Sequence, residues 1–193
     1  FAILIGSMII LQFSKFTGQT PLGNIIALLL IRDLGPTLTA LLIILRSATA
    51  VTVEISYMNV FNEMDALEMS GLDPLWVVCV PRLVGITSAI LCLFIVFDIT
   101  AILGGYGVVW LVTYINLGDY LFQIANNITV ADIVVGIIKA ILFGITITVI
   151  CLYHGFKTKQ HITQIPVAAS KASVQCLGAC LIVSASISTL FYL

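Results

Sequence analysis

Long apolar runs dominate this sequence and restrict what it can fold into. They cover residues 1–13, 22–45, 75–115, 128–153 and 167–193. A helix needs about 20 apolar residues to cross a bilayer, and four of the runs are that long. Only 9% of the 193 residues are charged, against about 25% in soluble domains. We therefore predict one all-α integral membrane domain with about five transmembrane helices, the first of which begins upstream of Phe1.

The run at 75–115 is long enough to cross the membrane once or twice. A double crossing would need a hairpin near Asp98 or Gly104, where polar turn residues are almost lacking. Lys157, Lys159 and Lys171 cluster around one loop, and the positive-inside rule places that loop in the cytoplasm. A single crossing puts residues 57–71 on the same side. We predict one long, kinked span, entered through an interfacial segment at 75–82.

A polar connector separates two of the runs at residues 57–71. As one helix it places an apolar set on one face, namely Tyr57, Val60, Phe61, Met64 and Leu67. Ser70-Gly71 predicts its end, and Asp73-Pro74 predicts a new start. Its charged residues, like Asp73 just beyond it, are all acidic: Glu63, Asp65 and Glu68. Because anionic lipid repels carboxylates, we favour a protein partner over a lipid surface for this helix.

Arg32 and Asp33 lie near the middle of the run at 22–45. Each costs about 2.5–3.5 kcal/mol at the centre of a membrane helix. Adjacent helical residues point about 100° apart, so the two do not simply neutralise each other. Pro36 removes a backbone hydrogen bond in the next turn. This pattern favours a polar cavity beside a helix break, and the alternative is a shorter helix that leaves both residues near a membrane surface.

Lys139 lies well inside the run at 128–153. It shares one helical face with Asp132, Gly136 and Phe143, which predicts that it points into the helix bundle. Asp98 or Glu54 could pair with it there. A structural role and a part in a gate both remain open for this lysine.

The last run carries small residues at intervals of four: Ala168, Ala172, Cys176, Cys180, Ser184 and Ser188. Small residues at this spacing let helix backbones approach closely in lipid. The stripe predicts helix packing within the chain, or else part of a subunit interface.

Several blocks of the sequence together resemble the MlaE-type (YrbE-type) permeases, the membrane subunits of ABC systems that move phospholipids between membranes. The blocks are Arg32-Asp33-Leu34-Gly35-Pro36 (the family usually has R-E-L-G-P), Thr39-Ala40-Leu41-Leu42, Arg46, Glu54, the acidic stretch 63–68 with Asp73-Pro74 and Pro81-Arg82, Gly104-Gly105-Tyr106, and Lys139 with Phe143-Gly144. The spacing of the acidic stretch, D-P and P-R is the most specific part. The chain departs from the family at Ala48 and Ser56, where glycine is usual, at 159–164, which replace a Gly-rich loop, and at Ser184, Ser186 and Ser188, where the family often has an aspartate.

The resemblance implies a homodimeric permease in the bacterial inner membrane, with two cytoplasmic ATPase subunits. It implies that residues 57–71 form the coupling helix, with contacts from Phe61, Glu63, Met64, Asp65, Leu67 and Glu68. It implies a phospholipid cavity near Arg32 and Asp33, where a guanidinium is suited to a phosphate. It also implies a periplasmic MCE-domain protein and often a STAS-domain protein. ATP and Mg²⁺ would bind the partner ATPase, because this sequence has no GxxxxGK[ST] loop.

Two other readings compete with the permease. The first is an ion-coupled secondary transporter, in which Glu54, Asp98 and Lys139 form a charge relay inside the membrane. The second is a membrane scaffold subunit that carries no substrate and is held together by its small-residue stripe.

Overall fold

The structure is a computed structural model, and it describes residues 33–113, 130–158 and 162–192, together with Met8, Gly118 and Phe122. In these residues every regular element is helical. Four helical stretches are long and apolar enough to cross a membrane: Gly35–Val60, Leu75–Gly104, Val130–Lys157 and Ile162–Phe191. The predicted all-α membrane fold is confirmed. The predicted span at 1–13 and the turn after it lie outside the described residues, apart from Met8.

Six α-helices and three short segments make up the described chain. The first stretch consists of α1 (Gly35–Ile43), a π-helical turn (Ile44–Ala48) and α2 (Thr49–Val60). A short helix follows, α3 (Glu63–Met69). A second π-helical turn (Leu75–Cys79) leads into α4 (Val80–Thr113). The remaining elements are α5 (Val130–Lys157), a 3₁₀ turn (Ile162–Gln164) and α6 (Ile165–Tyr192).

The α4 helix answers the question of one crossing or two. It continues for 34 residues through Asp98 and Gly104 without a hairpin. At 1.5 Å per residue it is about 50 Å long, which exceeds the roughly 30 Å of a hydrocarbon core. The prediction of a single span is confirmed.

The first described span ends later than the apolar run that predicted it. Its helical backbone continues past residue 45 to Val60, so the polar residues from Arg46 onward belong to the helix. Buried hydroxyls are satisfied within it, since the Thr52 Oγ1 donates to the Ala48 carbonyl oxygen at 2.8 Å. The apolar run ended at residue 45, before the helix does, because hydropathy counts a hydroxyl as polar even when it is hydrogen-bonded within its own helix.

Contacts divide the chain into two compact units, one of residues 37–91 and 139–193 and the other of residues 1–36 and 92–138. In the former, α2 packs against α6. In the latter, the ring of Phe94 lies over Gly136, where an added Cβ would come within 2.8 Å of the ring Cζ. Phe94, Phe97 and Ala101 on α4 and Val135 on α5 are buried there.

The small-residue stripe of α6 faces the interior of its own unit. Ala172 and Cys176 are fully buried, Cys180 nearly so, and Ala168 and Ser188 are half-buried. The prediction of packing within the chain is therefore confirmed. A role for the stripe in a subunit interface stays a prediction.

Two helix crossings depend on glycine in α5. A Cβ added to Gly144 would lie 2.5 Å from the Thr87 Cγ2 and 2.8 Å from the Thr87 Cα. A Cβ added to Gly155 would lie 2.7 Å from the Ile55 Cγ2. These contacts bring α5 against α4 and α2 at distances that larger residues do not allow.

Candidate functional site

The polar connector is not the single helix that the sequence predicted over residues 57–71. The α2 helix ends at Val60, Asn62 adopts a left-handed φ of 57°, and α3 begins at Glu63. The bounds predicted for this helix are therefore wrong, and its helical part is Glu63–Met69. The amphipathic pattern runs unbroken through the turn, so periodicity alone gave no sign of the break. Asparagine is one of the few residues that adopt this backbone conformation at low cost.

The end of α3 matches its sequence signal. The Leu72 N–H donates to the Leu67 carbonyl oxygen and the Gly71 N–H donates to that of Glu68, at 3.1 and 3.0 Å. Gly71 has a φ of 80°, which is the left-handed geometry of a Schellman cap. Asp73 Oδ1 then accepts from the Leu75 N–H at 3.0 Å and starts the next span. The predicted stop at Ser70-Gly71 and restart at Asp73-Pro74 are confirmed.

One face of α3 is attached to the protein. Met64 is 5% exposed and lies in a cluster with Ile55 and Val78, and Leu67 packs against that cluster. These two predicted coupling residues thus point inward. Met64 is buried in this cluster and Leu67 is half-buried against it, and a contact of either residue with a partner stays a prediction.

The opposite face of α3 and its flanks form an exposed acidic surface, which we call the coupling surface. It comprises Phe61, Glu63, Asp65, Glu68, Met69 and Leu72. Phe61 is 57% exposed and Met69 is 85% exposed. No Lys, Arg or His occurs between residues 57 and 73. Such a surface suits a protein groove that offers cationic side chains around an apolar floor.

An ion pair closes the base of the connector. Glu54 Oε1 accepts from the Arg82 Nη2 at 2.8 Å, which joins α2 to α4 on either side of α3. The same Arg82 nitrogen lies 3.9 Å from the Met58 Sδ. Of the two residues offered as a partner for Lys139, Asp98 or Glu54, Glu54 is thus engaged with Arg82, a residue to which the sequence analysis gave no partner.

A second contact, which attaches α2 to the end of α5, was not predicted from the sequence. The Asn59 Nδ2 donates to the carbonyl oxygens of Phe156 and Thr158, at 2.8 and 2.7 Å, and so caps the end of α5. The Ser56 and Thr158 hydroxyls lie 3.1 Å apart and are both buried. The only sequence signal was Ser56 itself, at a position where the resembled family has glycine.

Lys139 is fully buried, and its Nζ donates to the Ser188 Oγ at 2.8 Å. The face predicted for α5 is confirmed, since Asp132, Gly136 and Phe143 are buried as well. In the other compact unit, the Asp98 Oδ1 is buried and has no hydrogen-bond partner among the described residues.

The predicted substrate residues are only partly described. Arg32 lies outside the described residues, and Asp33 is half-buried just before α1. A third charged residue is more informative. Arg46 is exposed near the middle of the 26-residue span Gly35–Val60, in the π-helical turn, and within the described chain it forms no ion pair. A π-helical turn inside an α-helix often marks a functional site.

An apolar cavity lies near this turn, between α1 and α6. Its volume is about 170 Å³, and it is lined by Thr37, Leu38, Leu41, Ile44, Leu177, Cys180 and Leu181. Ile44, which lines this cavity, lies two residues before Arg46 in the same π-helical turn.

The family model described as Permease MlaE matches residues 1–190. This chain belongs to the MlaE permease family. A probable ABC transporter permease protein of Rickettsia prowazekii is 29% identical over 191 residues, which cover 97% of this chain and 74% of the relative. The intermembrane phospholipid transport system permease protein MlaE of Haemophilus influenzae is 36% identical over 144 residues, or 73% of this chain and 54% of the relative.

A further relative, a probable ABC transporter permease protein of Rickettsia typhi, is 30% identical over 155 residues, or 78% of this chain. The chain spans only 60% of that relative's length. Family and structure agree that this MlaE permease is a multi-pass membrane protein, and the resemblance drawn from the acidic block is confirmed.

Proposed function

We propose that this chain is the membrane subunit of an ABC transporter that moves phospholipids between the inner and outer membranes of a bacterium. Membership of the MlaE permease family and the name of the Haemophilus influenzae relative support the substrate class. The observation that carries the mechanism is the coupling surface, an exposed acidic face on a helix whose other face is attached to the membrane domain. A separate ATPase, which binds ATP and Mg²⁺, docks there.

Force applied to α3 reaches three membrane helices through named contacts. Met64 transmits it to Ile55 on α2 and to Val78 at the start of the next span. The Glu54–Arg82 ion pair joins α2 to α4. Asn59 holds the end of α5. Movement of the docked ATPase would thus displace α2, α4 and α5 together rather than bend the connector alone.

Under this proposal, Arg46 and the apolar cavity between α1 and α6 bind the phospholipid. A guanidinium in mid-span is costly unless an anion, water or a partner chain compensates it. A phospholipid phosphate does so through charge-assisted hydrogen bonds, while its acyl chains contact Leu38, Leu41 and Leu181. Arg32 and Asp33 join this site under the proposal. A second copy of the chain completes the cavity, and an MCE-domain protein continues the lipid path, in some systems with a STAS-domain protein on the ATPase.

The test is co-purification of the intact complex from mild detergent, with mass spectrometry of proteins and lipids in the same sample. We expect an ATPase subunit and bound phospholipid with the native chain. Arg46→Ala should reduce the retained phospholipid several-fold and leave the ATPase bound. Arg46→Lys keeps the charge and should retain an amount of phospholipid between that of the native chain and that of Arg46→Ala. Retention of native lipid levels by Arg46→Ala would remove this residue from the site.

The same sample separates the rival functions. An ion-coupled transporter would lack the ATPase, and its transport would depend on a proton gradient. A scaffold would bind protein partners and carry no enriched lipid. Glu54 is engaged with Arg82, so the charge relay of the first rival is without one of its three members.

A further inference from the structure

A second cavity lies where α5 ends and α6 begins. Its volume is about 450 Å³, and it is lined by His154, Lys157, Thr158, Gln164, Val167, Ala168 and Lys171. Small-molecule sites typically enclose about 300–1,000 Å³. The cavity lies at the ends of two membrane-spanning helices, so its mouth is at a membrane surface.

The described lining of this cavity is cationic, and none of its residues carries a carboxylate. Lys157 and Lys171 are exposed, and neither forms an ion pair with any residue that the structure describes. The sequence has no Asp or Glu after Asp132, which lies in the first turn of α5, so the rest of α5 and all of α6 carry no acidic side chain. Two lysines held together without a counter-ion repel each other and favour an anion between them.

The side chains around the cavity are held by neutral partners. The Lys157 ammonium lies 5.5 Å from the centre of the Tyr153 ring. The His154 Nε2 hydrogen-bonds to the Gln175 side-chain oxygen, and the Thr158 Oγ1 donates to the His154 carbonyl oxygen at 3.0 Å. The carbonyl end of α5 would repel an anion, but Asn59 caps two of its carbonyls. The first turn of α6 adds the positive end of a helix dipole on the other side.

We propose that this cavity binds a phosphate-bearing anion, namely the headgroup of an acidic phospholipid in the adjacent leaflet, held by Lys157 and Lys171. Basic pockets between membrane helices on the cytoplasmic side bind such headgroups in other proteins. Val167 and Ala168 give the cavity an apolar side. Val174, two helical turns beyond Val167 on α6, is 71% exposed for contact with an acyl chain. Inorganic phosphate shares the recognised group and is the other possible source.

This site is separate from the proposed transport path. Arg46 lies near the middle of its span, whereas Lys157 is the last residue of α5 and Lys171 lies in the second turn of α6. The capped carbonyls of Phe156 and Thr158 connect the cavity to Asn59 and hence to the base of the coupling surface. A headgroup bound here would therefore stiffen the same helix end that the connector holds.

The experiment is native mass spectrometry of the intact complex in mild detergent, titrated with phosphatidylglycerol, with phosphatidylcholine, or with inorganic phosphate. The test variant is Lys157→Gln/Lys171→Gln, in which two exposed charges are removed and a polar side chain is kept at each position. Lys157→Arg/Lys171→Arg keeps the charge. Lys15 lies in a polar segment at residues 14–21, which is separated from the cytoplasmic residues 57–71 by one predicted span and is therefore predicted on the opposite side of the membrane. Lys15→Gln serves as the control.

We expect the native complex to bind phosphatidylglycerol more tightly than phosphatidylcholine, and the double Gln variant to lose about tenfold of that preference. The Arg variant and Lys15→Gln should keep it. Displacement of phosphatidylglycerol by millimolar inorganic phosphate in the native complex alone would still support the site. Saturation of the cavity by inorganic phosphate, without any preference between the two lipids, would assign the cavity to the free ion and against the headgroup. An unchanged lipid preference in the double Gln variant, together with no binding of inorganic phosphate, would overturn the proposal.

Discussion

Glu54 on α2 and Arg82 on α4 form an ion pair of 2.8 Å that closes the base of the coupling surface. The Arg82 side chain is 18% exposed and that of Glu54 is 64% exposed. The other terminal nitrogen of Arg82, Nη1, is buried without a hydrogen-bond partner in the described chain. Arg82 thus depends on Glu54 for its only charged contact among the described residues.

Glu54→Gln should lower the unfolding free energy by about 1 kcal/mol, because it weakens a pair that solvent partly screens. Arg82→Gln should cost less when Glu54 is already Gln. The measurement is a double-mutant cycle on the apparent unfolding temperature in detergent, with ATPase retention followed in the same samples. Strictly additive effects of the two substitutions would show that the pair contributes nothing to stability.

Asn59→Ala should destabilise the protein by about 1–3 kcal/mol, because it removes two hydrogen bonds to the end of α5. Asn59→Asp should cost at least as much, since a carboxylate cannot donate to the two carbonyl groups. Asn62→Gly is the control: it is also an asparagine of the connector, but glycine keeps its left-handed turn. Thermal unfolding and proteolysis near residue 158 report the effect. Equal behaviour of Asn59→Ala and Asn62→Gly would contradict the capping role.

Gly144→Ala should destabilise the crossing of α5 and α4 by about 1–3 kcal/mol, because the new methyl group meets both the side chain and the backbone of Thr87. Gly178→Ala is the matched control on α6, since nothing lies within 4 Å of its added Cβ. That control should be neutral or stabilising by up to about 1 kcal/mol, the helix preference of alanine over glycine. Both are measured by thermal unfolding of the purified chain. A harmless Gly144→Ala would mean that the two helices separate easily here.

Charge reversal on the coupling surface should release the ATPase. Glu63→Lys/Asp65→Lys places two cations where a cationic groove is expected, and like charges across an interface cost several kcal/mol. The neutral pair Glu63→Gln/Asp65→Asn should give a smaller loss. Both residues are exposed, so the fold should persist, as a gel-filtration profile can verify. Native levels of ATPase in the Lys/Lys complex would remove the coupling assignment from α3.

Met64 shows how far helical periodicity carries. The pattern correctly grouped Met64 and Leu67 on one face, but it did not show that this face packs against Ile55 and Val78. Periodicity identifies an apolar face and does not identify what covers it. The break at Asn62 is a similar case. α2 ends at Val60 and α3 begins at Glu63, although the amphipathic pattern continues through the turn.

The sequence by itself determined the features that depend on neighbours along the chain. Long apolar runs decided the class of protein, the lysines around one loop and the lack of a polar turn decided the single crossing of α4, and Ser70-Gly71 decided the end of α3. Spacing decided the inward face of α5 around Lys139. Only the tertiary structure decided that Arg82 is the partner of Glu54, that Asn59 caps α5, and that Lys157 and Lys171 share one cavity. The reason is physical: helix periodicity and capping act within a few residues, whereas these pairings arise only when separate helices pack together.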